Sequence, residues 1–394
     1  MRLFAASVLV VCALAHGSAL AQDATSAKMA ESVIREWPAG MVTTENKPGE
    51  WAYEEGVLLD GMAAQWHATS NSADFKYIKD AVDKYVTDDG TIKGYKVDAH
   101  SLDDIEMGRA VILLYRTTHE SKYQKAAKFL HDQLATQPRT VSGGYWHKQI
   151  YPNQVWLDGA YMAEPFRAVY AATFHESRDF DDIAKQLLLM DTNMRDPKTG
   201  LLRHGWDESK QMKWADATTG LSPEVWARAM GWYAMALVDV LGWMPTNHPQ
   251  RTALVDALKR TATSVATYQD KETGLWWQVM DKNGEPGNYL EASASSMFVY
   301  ALAKGVRLGY LPQSYKSNAR HGWEGIQKAF VSTGPDGLMV LNGTVKVGGL
   351  GGTPYRSGSF DYYVGEKTIA NDAKGVGAFL LAGSEMSLAS TGPQ

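Results

Sequence analysis

Residues 222–241 read SPEVWARAMGWYAMALVDVL. Ser222 is a good helix N-cap, and Pro223 suits the first helical position, where a missing N–H costs nothing. Wound at 3.6 residues per turn, the rest places large apolar groups on more than one face, interrupted chiefly by Arg228 and Asp239. A helix without a polar stripe is enclosed by protein. Five further segments have this character and begin near Trp51, Ser101, Asn153, Leu290 and Gly365. The segments between them, such as 178–194 and 249–269, are plainly amphipathic and belong on the outside.

Helical periodicity is read at 26–36, 51–69, 75–87, 101–118, 121–136, 154–173, 178–194, 223–242, 249–269, 290–308, 313–331 and 366–386, with little strand alternation. Long glycine-rich connections follow every second helix, at 137–152, 195–221, 270–289 and 332–365. The enclosed helices recur about every 50–75 residues, a spacing that suits a helix-hairpin repeat. Six inner and six outer helices make an all-α (α/α)6 barrel, expected as one domain over 22–394. In such a barrel the inner helices run parallel. Their N-termini and the long loops meet at one mouth, where the helix dipoles favour an anion.

The chain opens with Arg2, an apolar run from Leu3 to Ala15, and Ala19-Leu20-Ala21. This reads as a signal peptide over 1–21, cleaved near Ala21, with export to the periplasm or the medium. Cys12, the one cysteine, lies inside it, so disulfides, thiolate metal sites and a cysteine nucleophile are excluded after cleavage. No later stretch is apolar enough to suggest a membrane partner. A net charge of −5 argues against nucleic acid. The 13 Trp and 19 Tyr, many in polar segments, fit either core packing or a sugar-lined groove, and carbohydrate is the better reading.

Polar candidates cluster where inner helices begin. Ser101 and Asp104 fit a capping box, which leaves Asp103 either as a favourable charge in a first turn or as a functional acid. Asp158 follows Trp156 and precedes Gly159; burial there raises a carboxyl pKa and suits a general acid, while the helix dipole opposes it. His147-Lys148 after Gly143-Gly144 reads as a ligand clamp. Arg228 is either half of a buried ion pair or a bidentate carboxylate binder. Nucleophile-elbow and zinc-protease motifs are absent, and Gly348-Gly349-Leu350-Gly351-Gly352 lacks the Lys-Ser/Thr ending of a phosphate loop, so it reads as a mobile lid or turn.

At these residues the chain resembles the unsaturated rhamnogalacturonyl hydrolases, glycoside hydrolase family 105, and their relatives, the unsaturated glucuronyl hydrolases of family 88. The matching stretches are WAYEEG at 51–56, SLDDIEMG at 101–108, WHKQIYPNQVWLDGAYMAEPF at 146–166, HGWDES at 204–209, WADATTGLSPEVWARAMGWY at 214–233 and LEASASSMF at 290–298. One departure is Ser101, where the family usually has Asn. The resemblance implies the same barrel, Asp158 as general acid/base and Asp103 as a second pocket carboxylate. It also implies sugar contacts from Tyr53, His147, Lys148, Trp156, His204, Trp226, Arg228 and Trp232. The implied partner is an oligosaccharide ending in an unsaturated uronate; no metal or other cofactor is implied. A conventional glycosidase or epimerase on the same barrel, and a sugar-binding protein without catalysis, are the rival readings.

Overall fold

The computed structural model describes residues 25–38, 40 and 50–391. The expected leader lies outside the described residues. The helices are α1 (25–36), α2 (Tyr53–Thr69), α3 (Ser72–Asp83), α4 (Gly108–Thr118), α5 (Ser121–Thr136), α6 (Asp158–Phe174), α7 (Asp179–Met194), α8 (Ala227–Trp243), α9 (Arg251–Thr267), α10 (Ala292–Arg307), α11 (Tyr315–Phe330), the short α12 (Phe360–Gly365) and α13 (Ala373–Thr391). Three two-stranded antiparallel ribbons accompany them: β1 (Gln154–Trp156) with β2 (Gly205–Asp207), β3 (Val331–Thr333) with β4 (Met339–Leu341), and β5 (Thr344–Val345) with β6 (Thr368–Ile369).

Six helices form the inner ring. α2 packs on α4, α4 on α6, α6 on α8, α8 on α10 and α10 on α13, and α13 closes the ring on α2. Every residue of α8 from Ala227 to Leu241 is buried, as a helix apolar all round requires. α3, α5, α7, α9 and α11 each pack outside the inner helix that precedes them. α1 completes the outer layer, with Ser26 set against Gly383 of α13 and Met29, Ala30 and Val33 in the core. The architecture is an (α/α)6 barrel.

The closing seam depends on two glycines. A Cβ at Gly61 would come within 2.6 Å of the Gly377 carbonyl oxygen, and one at Gly377 within 2.3 Å of the Val57 carbonyl oxygen. Backbone therefore packs on backbone where α13 meets α2. Inside the ring a polar network joins five inner helices. Asp239 of α8 takes Arg109 of α4 at 3.0 Å and Tyr300 and Lys304 of α10 at 2.7 and 2.6 Å. Arg109 also pairs with Asp60 of α2 at 2.7 Å, and Tyr161 of α6 donates to Asp60 at 3.0 Å. Burial opposes ionisation of Asp239, but Lys304 and Arg109 outweigh it and hold the carboxyl below its ordinary range.

Four expected helix starts are displaced, and one of them is that of α13, which begins at Ala373 and not near Gly365 because Thr368–Ile369 pairs as β6. α8 begins at Ala227, not at Pro223, because residues 225–227 pair with the neighbouring loop: Ala227 N–H donates to Gln278 O at 3.0 Å and Met280 N–H to Val225 O at 3.1 Å. Ser222 therefore caps nothing and instead donates its backbone N–H to Gly205 O. α6 begins at Asp158, since Asn153 is left-handed at φ 61° and residues 154–156 form a strand. α4 begins at Gly108, after a single 3-10 turn at Asp103–Ile105. Among the described residues no helix is long and apolar enough to cross a membrane.

Candidate active site

The loops that lead into the inner helices pair with one another around one mouth of the barrel. Leu102 N–H donates to His147 O, His147 N–H to Gln154 O, Leu157 N–H to His204 O and Gln278 N–H to Tyr289 O, at 2.8–3.0 Å. This belt of backbone bonds sets residues far apart in sequence side by side. It encloses a cavity of about 180 Å³, on the scale of one sugar ring, lined by residues that include Tyr53, Asp103, His147, Lys148, Trp156, Asp158 and Arg356.

Asp158 is the first residue of α6 and faces this cavity. Its Oδ2 lies 3.0 Å from Nε2 of His204, which is fully buried, and His204 Nδ1 lies 2.6 Å from the Tyr363 hydroxyl. A neutral imidazole carries one proton, so this chain has two arrangements. When Nδ1–H donates to Tyr363, Nε2 accepts from a protonated Asp158. When Tyr363 donates to Nδ1, Nε2–H donates to an ionised Asp158. Both states of the acid keep their hydrogen bond, which is what a group that gives and then takes a proton needs. Burial, together with the charges of Tyr362 and Asp158, raises the Tyr363 phenol well above its ordinary pKa and keeps it protonated.

Asp103 stands in the 3-10 turn ahead of α4. Lys148 Nζ is 2.5 Å from its Oδ2 and His147 Nε2 is 3.2 Å from its Oδ1. Burial alone would push this carboxyl up, but Lys148 and His147 win and hold it well below the usual carboxylate range. The His147-Lys148 pair expected to clamp a ligand therefore clamps Asp103. At the neighbouring Asp104 burial and the Asp103 charge outweigh Lys148, a Ser101 hydrogen bond and Lys96, and push the carboxyl up to about 6. Trp51 Nε1 donates to the Asp104 carbonyl at 2.7 Å and fixes this turn against α2.

The indoles near the mouth pack on neighbouring rings, and Trp156 also lines the cavity. Trp156 stacks on His147 and on Tyr151, each at 4.7 Å. Trp226 stacks on Tyr363, and Gly348 lies so close to its indole that a Cβ there would fall 2.4 Å from the ring. Trp232 is a correction: it stacks on Tyr161 in the barrel core at 5.0 Å and does not line the cavity. It lies five residues below the start of α8, about 7 Å deeper at the helical rise. Arg228 is also enclosed. Its Nη2 donates to the Val345 carbonyl, its guanidinium sits 5.2 Å from the Trp226 ring, and neither Nε nor Nη1 has a protein partner. It forms no ion pair among the described residues, so the buried-ion-pair reading does not describe it. Tyr53 stands in the cavity wall as expected.

Tyr151, Tyr363 and Arg356 were not singled out in the sequence, and Asp104 was read only as a helix cap; all but Tyr363 line the cavity. Tyr363 and Arg356 come from the 332–365 connection. Its glycine-rich stretch is a turn, closed by mutual backbone bonds between Gly351 and Arg356 and anchored by Leu350, which is buried against Trp156 and Trp214.

The family model for Glycosyl Hydrolase Family 88 matches residues 25–389. Among solved structures, a glycoside hydrolase of family 105 from C. acetobutylicum ATCC 824 is 44% identical, with a TM-score of 0.88 over 92% of this chain and 99% of that one. The unsaturated glucuronyl hydrolase of Bacillus sp. GL1 shares the fold at 12% identity, with a TM-score of 0.67 over 92% of this chain and 95% of that one. The unsaturated rhamnogalacturonyl hydrolase YesR of Bacillus subtilis is 27% identical over 264 residues, 66% of this chain and 72% of that protein. A whole-length family match and a solved relative of this identity agree with the barrel: the chain belongs to glycosyl hydrolase family 88, within its family 105 relatives, and is a glycoside hydrolase.

Proposed function

We propose that the enzyme removes a terminal Δ4,5-unsaturated uronic acid from rhamnogalacturonan- or pectin-derived oligosaccharides by hydrating the sugar's C4=C5 bond. The observation that carries this reading is the Asp158–His204–Tyr363 chain, which accommodates Asp158 in both protonation states beside a one-sugar cavity. The relation to YesR, named for this substrate, supports it. C5 of such a sugar bears the ring oxygen, so the double bond is a vinyl ether. Protonated Asp158 gives its proton to C4, and positive charge develops at C5 and the ring oxygen. Water adds at C5 and loses a proton to the carboxylate of Asp158, which restores the acid. The resulting hemiketal opens to a ketone and releases the neighbouring sugar. The anionic Asp103, held by Lys148 and His147, stabilises the cationic intermediate.

The conjugated double bond absorbs in the ultraviolet, and its loss follows the reaction directly. With an unsaturated rhamnogalacturonan disaccharide the wild type removes the absorbance. Asp158→Asn, folded by circular dichroism, is slower by about 10²–10⁴-fold. Near-normal turnover by the folded variant rejects the mechanism. Loss with an unsaturated glucuronyl disaccharide alone replaces the substrate, and cleavage of saturated disaccharides alone replaces the reaction. Export belongs to the same proposal: N-terminal sequencing of protein from the periplasm or medium should begin near Gln22, and an intact Met1 start rejects it.

A further inference from the structure

The cavity wall contains three basic side chains among its described residues, His147, Lys148 and Arg356. Two of them are spent, since Lys148 and His147 both pair with Asp103. Arg356 makes no ion pair among the described residues. Its guanidinium is nevertheless held in place: Nε donates to the Gly351 carbonyl at 3.1 Å, Nη2 donates to the Tyr151 hydroxyl at 3.0 Å, and the group lies 6.0 Å from the Trp156 ring centre. Nη1 has no hydrogen-bond partner among the described residues. Gly349 leaves it room, since a Cβ there would come within 2.2 Å of it. A fixed cation without a carboxylate, in a cavity whose acids include Asp103, Asp104 and Asp158, is complementary to one group of an acidic sugar.

We propose that Arg356 receives the carboxylate of the bound uronate, and so selects an acidic terminal sugar. This rests on the functional reading above, in which that carboxylate is attached to C5, next to the carbon that Asp158 protonates. Arg356 has Nη1 free, while Nη2 is engaged by the Tyr151 hydroxyl at 3.0 Å and by the Leu350 carbonyl at 3.5 Å, so Nη1 is the charged donor it offers to a carboxylate. The enclosed Arg228 and the Asp103-bound Lys148 do not compete for this role. The residue that reads the acid therefore lies on the 332–365 connection, and the residue that delivers the proton lies on an inner helix.

Three proteins test this: wild type, Arg356→Gln and Arg356→Lys, each checked by thermal melting. The substrates are the unsaturated rhamnogalacturonan disaccharide and its uronate methyl ester. Arg356→Gln should raise KM for the acid about tenfold or more, as expected for a lost charged hydrogen bond, with kcat changed little. Arg356→Lys should recover part of this, and on the ester wild type and Arg356→Gln should be alike. An unchanged KM on the acid overturns the proposal, as does an equal loss on acid and ester. A calorimetric titration with D-galacturonate and with D-galactose needs no turnover: wild type should prefer the acid and Arg356→Gln should not. If wild type leaves the disaccharide intact yet shows this preference, the function reading fails and the Arg356 assignment stands. If Arg356→Gln prefers the acid as wild type does, the assignment fails whatever the reaction is.

Discussion

Tyr363 touches the reaction only through His204, whose Nδ1 lies 2.6 Å from its hydroxyl. Tyr363→Phe removes that partner while keeping the ring that stacks on Trp226. One lost hydrogen bond is worth about 1 kcal/mol, so kcat should fall about fivefold to tenfold, with KM nearly unchanged and a displaced pH profile. A rise in KM at constant kcat would instead make Tyr363 part of the sugar-binding surface. Asp104 gives a pH test. Its folded pKa, about 6, lies above its unfolded value of about 3.9. Protonation therefore stabilises the fold below the unfolded value, and that contribution is lost as pH rises through about 6. Asp104→Asn should compare better with wild type at pH ~7.5 than at pH ~4.5, by up to ~2 kcal/mol in urea unfolding. Equal differences at both pH values would refute the shift. Much of the site was legible at this scale. Asp158, Asp103, His147, Lys148, Trp156, His204 and Tyr53 do converge, because each adjoins the start of an inner helix or sits in a loop leading to one. Arg356 and Tyr363 were hidden because the 332–365 stretch carries neither periodicity nor a catalytic spacing.

The inner helices were found in the sequence, but four of their starts were not. Helical periodicity cannot see backbone pairing between loops, and that pairing keeps 154–156 and 225–227 extended. Ser222-Pro223 has the local chemistry of a helix start, yet its neighbours pair with residues 278–280. The displacement matters for function. With α6 starting at Asp158, the acid stands at the dipole end facing the cavity, and the β1–β2 ribbon brings His204 to it. The α2–α13 seam gives a test at the same scale. Gly377→Ala sets a methyl group 2.3 Å from the Val57 carbonyl oxygen, and backbone cannot yield as a side chain does. The two helices must separate, at a cost of about 1–3 kcal/mol, seen as a lower thermal midpoint. An unchanged midpoint would mean the seam is looser than described.

Across the whole molecule, the network around Asp239 ties α2, α4, α6, α8 and α10 together. Asp239→Ala leaves Arg109, Lys304 and Tyr300 without this shared acceptor. Removing one partner from a buried ionic cluster costs about 3–5 kcal/mol, so chemical unfolding should move to much lower denaturant, with activity per folded molecule retained. A loss below ~1 kcal/mol would show that the cluster is replaceable. The sequence by itself determined the barrel, since helices apolar all round alternating with amphipathic ones can bury their surfaces only as an inner and an outer ring. It also determined the mouth that carries the chemistry, since parallel inner helices place their N-termini and long loops together. Only the tertiary structure decided which cations remain free in the cavity. Lys148, Arg228 and Arg356 carry the same charge in sequence, but a charge is available to a ligand only if no neighbour has claimed or enclosed it, and those neighbours come from loops far away along the chain.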